Sequence, residues 1–254
     1  MNDPTPHPRV NSLLRILLRD YQAALGGELV ALYLHGSLAL GDFDIESSDI
    51  DTLVVTKGGL DTHTREQLAL VQRRYKGSGI PLAMSMDELF ATEADVRRYQ
   101  PDRVPLHNGP MTYSTELDGW GSQSVLDRYV VRNHGIALYG PSPASLIDPI
   151  SPDELRQAVR ATVNEVWASY LGDNSIWLLA PAFPHTAVVT LCRVLYTLEH
   201  GEIVSKPAAV RWAQETLEPE WQLMVRRSTQ SNAGHADDDE VTNFLRYVVE
   251  RCQQ

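Results

Sequence analysis

The sequence predicts an α+β protein, with a mixed sheet and flanking helices in its N-terminal part and an all-helical bundle in its C-terminal part. In the first part, short apolar runs predict strands and amphipathic runs predict helices. The predicted strands lie at 29–35, 51–56 and 80–85, and the predicted helices at 10–25, 61–76 and 122–133. From Gly140 onward, apolar residues recur mainly with helical spacing. We expect the division near residue 145, which gives domains over 1–145 and 146–254.

Two helices of the C-terminal part have clear sequence signals. Ser151 precedes a proline suited to the first helical position, and Glu154 completes a capping box, so a helix is predicted over 152–171. The last helix begins with acidic residues, which complement the helix dipole, and it has one apolar face. That face consists of Val241, Phe244, Leu245, Val248 and Val249.

Composition bounds the class of protein. The chain has 254 residues, of which 43% are hydrophobic, enough for a substantial core. It carries 22 Lys and Arg against 33 Asp and Glu, a formal net charge of −11, which repels a nucleic-acid backbone. Nucleic acid is therefore not an expected partner. The acidity either favours a polycationic small substrate or simply keeps the protein soluble.

Targeting signals and metal-binding spacings of cysteines are not found in the sequence. No apolar run reaches the roughly 18 residues of a membrane span, and the N-terminus lacks the pattern of a signal peptide. The two cysteines, Cys192 and Cys252, lie in predicted helices and fit no metal-binding spacing. We expect a cytoplasmic monomer with free thiols and no membrane partner.

A pair of carboxylates is the strongest functional signal. Asp49 and Asp51 share one face of an extended strand, because side chains alternate along it, and carboxylates so placed can hold hard divalent cations. Upstream, Gly36-Ser37 follows a buried strand, where backbone N–H groups and a hydroxyl can hold phosphate oxygens. Each part has an ordinary alternative, a turn for Gly-Ser and a helix cap or solvated edge for Asp-x-Asp. Their order along the chain favours a nucleotide site.

These residues resemble a known family. The stretch Leu34-His35-Gly36-Ser37, followed by Asp49-Ile50-Asp51 and an apolar strand, resembles the signature of the polymerase-beta-like nucleotidyltransferase superfamily. The runs 188–196, 201–206 and 209–213 resemble the helical C-terminal domain of the aminoglycoside adenylyltransferases that modify streptomycin and spectinomycin. The run 134–141 resembles the linker of the same family.

The resemblance implies an enzyme that transfers AMP from Mg·ATP to an antibiotic hydroxyl, releases pyrophosphate and confers resistance. It implies that Asp49 and Asp51 hold Mg²⁺, expected as two ions, in a cleft between the domains that closes around the nucleotide. The residues implied to contact the nucleotide and its phosphates are Gly36, Ser37, Ser48, Arg193, Lys206 and Tyr247. The last three have structural alternatives, namely an ion pair, a helix cap and half-buried packing.

One departure from the family concerns the catalytic base. The family carries a glutamate on its third strand, and the matching run in this chain, 81–85, has Ala83 at that position. Asp87 is a poor substitute in this alignment, because it lies about 13 Å further along the strand. Glu88 and Glu93 could act as the base only if the backbone folds back towards the site. The expected enzyme is therefore impaired, and Ala83→Glu should raise AMP transfer at least about tenfold.

Ala83 leaves two explanations open, an engineered change that blocks the reaction or a natural departure. A natural departure suits a non-catalytic nucleotide-binding regulator, which is the alternative outside the enzymes. A protein-modifying nucleotidyltransferase is a further alternative, although such proteins are usually shorter and lack the helical domain.

The acceptor is open as well. Streptomycin-modifying members use a tryptophan and an acidic residue before the helix that carries Arg193, but the run 175–184 does not align cleanly with them. Spectinomycin is therefore an equal candidate. Residues available near such a site are Trp120, Trp167, Asp173, Trp177 and His185.

Overall fold

A computed structural model describes residues 3–98, 100, 107–108, 123–172, 183–229 and 238–254. The chain divides into two compact units, Met1–Pro149 and Ile150–Gln254. The division lies four residues after the expected end of the first domain at residue 145.

A mixed sheet forms the centre of the first unit. Its strands are β1 (Leu29–Leu34), β2 (Ile50–Thr56), β3 (Met86–Thr92), β4 (His107–Asn108) and β5 (Ile136–Tyr139). They are arranged in the order β4-β3-β2-β1-β5, with β2 and β3 parallel and the other neighbours antiparallel. The predicted mixed sheet is confirmed.

Helices cover both faces of this sheet. They are α1 (Pro8–Leu25), α2 (Gly36–Leu40), α3 (Thr62–Lys76), α4 (Pro81–Met84), α5 (Glu93–Arg97), α6 (Gln123–His134) and α7 (Pro143–Leu146), with a 3₁₀ turn at Gly26–Glu28. One face, which we call the α1 face, packs against α1 and α3 through Leu32, Leu34, Ile50, Val54, Met86 and Phe90. The opposite α6 face packs against α5, α6 and α7 through Ala31, Tyr33, Leu53, Val55 and Ala91. Because side chains alternate, each strand residue can be assigned to one face.

The third strand does not lie where the sequence predicted it. The run 81–84 forms the short helix α4, in which the amides of Met84 and Ser85 donate to the carbonyls of Ile80 and Pro81. Pro81 favours this outcome, since proline cannot donate to a sheet ladder and suits the first position of a helix. The strand begins only at Met86, so the prediction of a strand over 80–85 is wrong.

Ala83 is therefore not a strand residue. It is 1% exposed and belongs to the apolar core between α1, α3 and the sheet. The sequence-based assignment of Ala83 to the position of a missing base is corrected accordingly. Small size is what this buried position requires.

We expect Ala83→Glu to destabilise the protein instead of activating it. A carboxylate in this apolar core is unpaired, so the free energy of unfolding should fall by about 3 kcal/mol or more. Denaturant unfolding measures the loss. Met84→Glu is the matched control, because the Met84 side chain is exposed and the substitution should change stability little. A stable Ala83→Glu variant with faster AMP transfer would show that position 83 is the site of the catalytic base after all.

In the second unit, all the regular secondary structure among the described residues is helical. It contains α8 (Pro152–Glu165), a 3₁₀ turn (Trp167–Leu171), α9 (Phe183–His200), α10 (Lys206–Thr216), α11 (Pro219–Thr229) and α12 (Asp238–Gln253). The capping box of Ser151 and Glu154 is present, and the apolar face predicted for the last helix is buried. The helix predicted over 152–171 is too long, because Val166, at φ −114° and ψ −61°, ends α8.

Two further expectations concern the thiols and membrane spans. Cys192 and Cys252 are free and buried, and burial raises the pKa of their thiols to about 12 and about 11. Within the described ranges, no helix has both the length and the apolarity needed to cross a membrane.

Candidate active site

The site forms at the end of the sheet where β1 leads into α2. The amide of His35 donates to the Asp51 carbonyl at 3.0 Å, so the pairing of β1 with β2 continues one residue past Leu34. The next residue, Gly36, has φ +59° and begins α2. The predicted strand and helix start are thus confirmed. The turn between them lies against Asp51.

Gly36 allows the backbone to approach Asp51 closely. A Cβ atom built on Gly36 would lie 1.8 Å from Oδ2 of Asp51 and 2.6 Å from its Cγ. The positive φ and this contact independently require glycine. The carboxylate of Asp51 is consequently held next to the backbone segment that the sequence predicted to bind phosphate.

Gly36→Ala should move the Asp51 carboxylate. The added methyl group has no room beside Asp51. Placing alanine in the left-handed backbone conformation costs about 1–2 kcal/mol more. We expect up to about a 10²-fold loss of AMP-transfer activity, since small misplacements at reacting centres have effects of that size. Gly41→Ala is the control: Gly41 also has positive φ, at +81°, but its added Cβ would meet no atom within 4 Å. Equal losses in both variants would attribute the effect to backbone strain alone.

A second carboxylate lies beside Asp51 on the neighbouring strand. In the parallel pairing of β2 with β3, Asp51 is the partner of Asp87, and Ile50 and Thr52 pair with Met86 and Glu88. Neighbouring strands are about 4.8 Å apart, so the two aspartates begin from adjacent backbone positions on the α6 face. The Asp87 side chain is exposed. The expectation that Asp87 is too far along the strand is therefore wrong, because the strand starts later than predicted.

Asp49 precedes β2 and is exposed. The turn before it is stabilised by Asp44, whose carboxylate accepts a 2.7 Å hydrogen bond from the Ser47 hydroxyl. This bond and one from the Glu46 amide lower the pKa of Asp44. The hydroxyl oxygen of Ser48 accepts from the Asp44 amide at 3.0 Å, so Ser48 has a structural role in this turn.

His35 is a buried polar residue of the site that the sequence analysis did not single out. Burial lowers the pKa of its ring, although a hydrogen bond with the Thr52 backbone and the charges of Asp127 and Asp87 act in the opposite direction. Its Nε2 atom has no hydrogen-bond partner among the described residues. Asp127, on α6, was also missed, because nothing in the local sequence links α6 to the end of β1.

The donor set suits Mg²⁺ held together with a nucleotide. Among the described residues, no group of three or more His, Cys, Asp or Glu side chains is placed to hold a metal ion. Mg²⁺ commonly binds through one or two carboxylates while substrate phosphates and waters complete its octahedral shell. Asp49 and Asp51 would supply that number of carboxylates, and the close approach of Gly36 leaves backbone, not a side chain, beside Asp51.

The second unit carries the other residues implied for nucleotide binding. Arg193 lies within α9 and is half-buried. Lys206 is the exposed first residue of α10, which Ser205 caps by accepting from the Ala208 amide. The Tyr247 hydroxyl donates to Oε2 of Glu218 at 2.8 Å, and burial together with this bond raises the pKa of Tyr247 to about 12.

Several candidates for the acceptor site cannot be placed. Trp120, Asp173 and Trp177 lie outside the described residues. Trp167 lies in the 3₁₀ turn after α8, and Nδ1 of His185 lies 2.9 Å from the Ser228 carbonyl oxygen. The described residues thus bring together His35, Gly36, Asp51 and Asp87, but they assign no acceptor contact.

Two family profiles match the chain. The profile described as the nucleotidyltransferase domain matches residues 10–82, and the profile of the aminoglycoside adenylyltransferase C-terminal domain matches residues 145–251. The first match includes Asp49 and Asp51 but ends five residues before Asp87. The second match covers almost the whole second unit.

Relatives match over most of their length. The aminoglycoside (3'') (9) adenylyltransferase of Escherichia coli is 27% identical over 240 residues, which cover 87% of this chain and 86% of the relative. The spectinomycin 9-adenylyltransferase of Staphylococcus aureus is 24% identical over 237 residues, with 87% and 84% covered.

A solved structure has the same fold. The spectinomycin adenyltransferase AAD(9) from Enterococcus faecialis, crystallised with ATP and spectinomycin, matches with a TM-score of 0.70 at 18% identity. The match covers 96% of this chain and 99% of that chain. Both family profiles match the chain in the expected order, and the fold is that of a solved adenyltransferase. The chain therefore belongs to the aminoglycoside adenylyltransferases of the nucleotidyltransferase superfamily.

Proposed function

We propose that this chain transfers AMP from ATP to a hydroxyl group of an aminoglycoside or of spectinomycin and so confers resistance to that antibiotic. The observation that carries the proposal is the parallel register of β2 and β3, in which Asp51, next to Gly36, is the partner of Asp87. This arrangement provides one carboxylate near the phosphates and another for the acceptor hydroxyl. The ATP and spectinomycin bound to the related AAD(9) are consistent with it.

The reaction is a direct displacement at the α-phosphorus. The acceptor oxygen forms a new bond to that phosphorus, the bond from the α-phosphorus to the bridging oxygen breaks, and pyrophosphate leaves. Asp87 accepts the proton of the attacking hydroxyl, a role that requires hydrogen-bond reach of the acceptor. The protein contributes mainly by orienting the two substrates, since proximity alone lowers the barrier substantially.

Asp49 and Asp51 would hold the magnesium ions, for which we propose two sites. When bound, Mg²⁺ would neutralise charge on the phosphates. Gly36 and Ser37 are proposed to contact the β- and γ-phosphates, Gly36 through its backbone. Ser48 is the weaker candidate, because its hydroxyl already accepts a hydrogen bond from the Asp44 amide.

Asp87, and not Ala83, is the proposed base, so the chain should be an active enzyme. Two features support Asp87: its register with Asp51 and its exposure on the α6 face. The non-catalytic regulator depended on Ala83 occupying a strand position. Since Ala83 is buried in α4, that alternative has lost the observation in its favour.

Lys206 has a physical argument in favour of phosphate binding. A cation at the first position of a helix opposes the helix dipole, and α10 has no acidic residue in its first turn to compensate. Lys206 therefore does not stabilise the helix through its dipole, and this supports a role in holding a phosphate group. For Arg193 the proposal depends on the resemblance. Tyr247 is the least supported, because its hydroxyl is paired with Glu218 and its ring packs against Trp221.

The acceptor is proposed by chemical class only. Both antibiotic types are basic, and the net charge of −11 favours a cationic substrate over a nucleic acid. We infer that the protein is a monomer in the cytoplasm, the compartment in which ATP and the imported drug are both available.

The test is transfer of label from ATP labelled at its α-phosphate. The purified chain is incubated with Mg²⁺ and, separately, with streptomycin, spectinomycin, other aminoglycosides and total cell protein. Label on a small molecule supports the proposal, label on protein supports a protein-modifying nucleotidyltransferase, and no label with intact ATP binding supports the regulator. Growth of a drug-sensitive bacterium that expresses the chain, compared with the Asp87→Asn variant, then tests resistance.

A further inference from the structure

A buried polar cluster lies directly behind the proposed base. Glu88 follows Asp87 on β3, points to the opposite α1 face and is only 6% exposed. Its carboxylate accepts hydrogen bonds from the hydroxyl of Tyr21 on α1 and from the amide of Gln72 on α3, the latter at 2.7 Å. Two helices are thus connected to β3 at the residue next to Asp87.

Lys76 fixes the backbone just before this point. Its ammonium group, at the end of α3, donates to the carbonyls of Met84 and Met86 at 3.0 and 2.5 Å. These carbonyls flank Ser85, whose own carbonyl accepts from the Ile50 amide at 3.0 Å. The junction of α4 with β3 is therefore held from both sides. We call Tyr21, Gln72, Lys76 and Glu88 the β3 clamp.

The helices that carry the clamp are also connected to each other. Asp20, next to Tyr21 on α1, accepts a 2.6 Å hydrogen bond from the hydroxyl of Tyr75 and pairs with Arg74, both on α3. These contacts between α1 and α3 hold the two partners of Glu88, Tyr21 and Gln72, in position relative to each other.

The alternation of faces alone would not fix the register of β3. On the α1 face, Glu88 lies between Met86 and Phe90, so a shift of two residues would keep the alternation of faces but move the Glu88 carboxylate to the place of Met86 or Phe90. Such a shift would move Asp87 about 7 Å along the strand. It would also remove Glu88 from Tyr21 and Gln72 and leave buried polar groups unpaired. Because a buried carboxylate contributes little net stability, specifying one register is the better explanation for it.

We propose that the β3 clamp is a positioning device for AMP transfer, which holds β3 in the register that sets the carboxylate of Asp87 beside Asp51. The inference rests on the proposed function, because it assigns the purpose of the clamp through the role of Asp87. Tyr21 and Glu88 are positioning residues, since neither lies on the face of the sheet where the reaction is proposed.

Tyr21→Phe tests the clamp with the smallest change, the loss of one hydroxyl. We expect kcat for AMP transfer to fall about tenfold while KM for ATP stays the same, because Asp87 is displaced but the phosphate contacts are not. Tyr33→Phe is the matched control. Tyr33 is a buried tyrosine of the same unit that packs on the opposite, α6 face, and Tyr33→Phe loses one hydrogen bond, from the hydroxyl to the Pro141 carbonyl at 2.8 Å. Equal effects of the two variants on kcat would overturn the proposal.

A double-mutant cycle separates positioning from general destabilisation. In the Asp87→Asn background, Tyr21→Phe should cause no further loss of kcat, because the group that it positions is already gone. The same tenfold loss in both backgrounds would show that the clamp does not act through Asp87.

Hydrogen exchange provides a readout without turnover. In Glu88→Gln, backbone amides over 85–89 should exchange faster, whereas those of β1 should not change. Unchanged exchange over 85–89 would refute the clamp whatever the activity. If the wild-type chain transfers no AMP to any acceptor, the proposed function and the catalytic purpose of the clamp both fail, whereas faster exchange would still support its structural action.

Discussion

Replacing Asp87 with asparagine is expected to lower kcat for AMP transfer about 10²- to 10⁴-fold, the usual contribution of a general base. The asparagine keeps the shape of the side chain but cannot accept a proton from the acceptor hydroxyl. KM for ATP should change little, because Asp87 is not among the residues proposed to hold the phosphates. Steady-state kinetics with each substrate varied in turn measure both quantities.

Two further variants make this prediction specific. Asp87→Glu has the carboxylate type found in the family and should keep much of the activity. Glu93→Gln tests the other acidic candidate, which is the first residue of α5, and should behave as wild type. An Asp87→Asn variant with normal kcat would rule out Asp87 as the base.

Asp51→Asn is expected to remove productive binding of Mg·ATP. Its carboxylate, held against Gly36, supplies charge for the metal ion, and the loss of several kcal/mol of metal-dependent stabilisation corresponds to roughly a 10³-fold decrease in kcat/KM. Calorimetric titration with ATP, with and without Mg²⁺, should show that the magnesium-dependent part of the affinity is lost.

The control for Asp51→Asn is Glu46→Gln. Glu46 is an exposed carboxylate in the turn before β2, so the variant removes one negative charge from the same region without removing a proposed ligand. Similar losses in both variants would point to general electrostatics. Unchanged magnesium-dependent affinity in Asp51→Asn would contradict the assignment of the metal site.

Most of the fold could be predicted from the sequence, because its signals are local. The strand before Gly36, the helix cap at Ser151 and the apolar face of α12 each depend on residues within a few positions of one another. Local chemistry decides such features, and they were predicted correctly. The family resemblance could be seen for the same reason, because it depends on short sequence runs that occur in the expected order.

The error at Ala83 has a different cause. Both 81–85 and 86–92 contain a short apolar run, at 82–84 and at 89–91, so the pattern alone cannot tell which of them pairs with β2. The pairing depends on non-local contacts, including those of Tyr21 and Gln72 with Glu88. Proline at position 81 is the one local signal for a helix. Asp127 was not predicted for a similar reason, since only the fold brings α6 close to β1. His35 lies in the family signature, but no role was predicted for it.

The burial of both native thiols has a practical consequence. With thiol pKa values near 12 and 11, Cys192 and Cys252 remain protonated at neutral pH and should resist maleimide dyes. A cysteine introduced at an exposed position in each unit could therefore be labelled in an otherwise wild-type background. Fluorescence energy transfer between the two dyes would then follow any change in separation of the units during a single round of nucleotide capture and release.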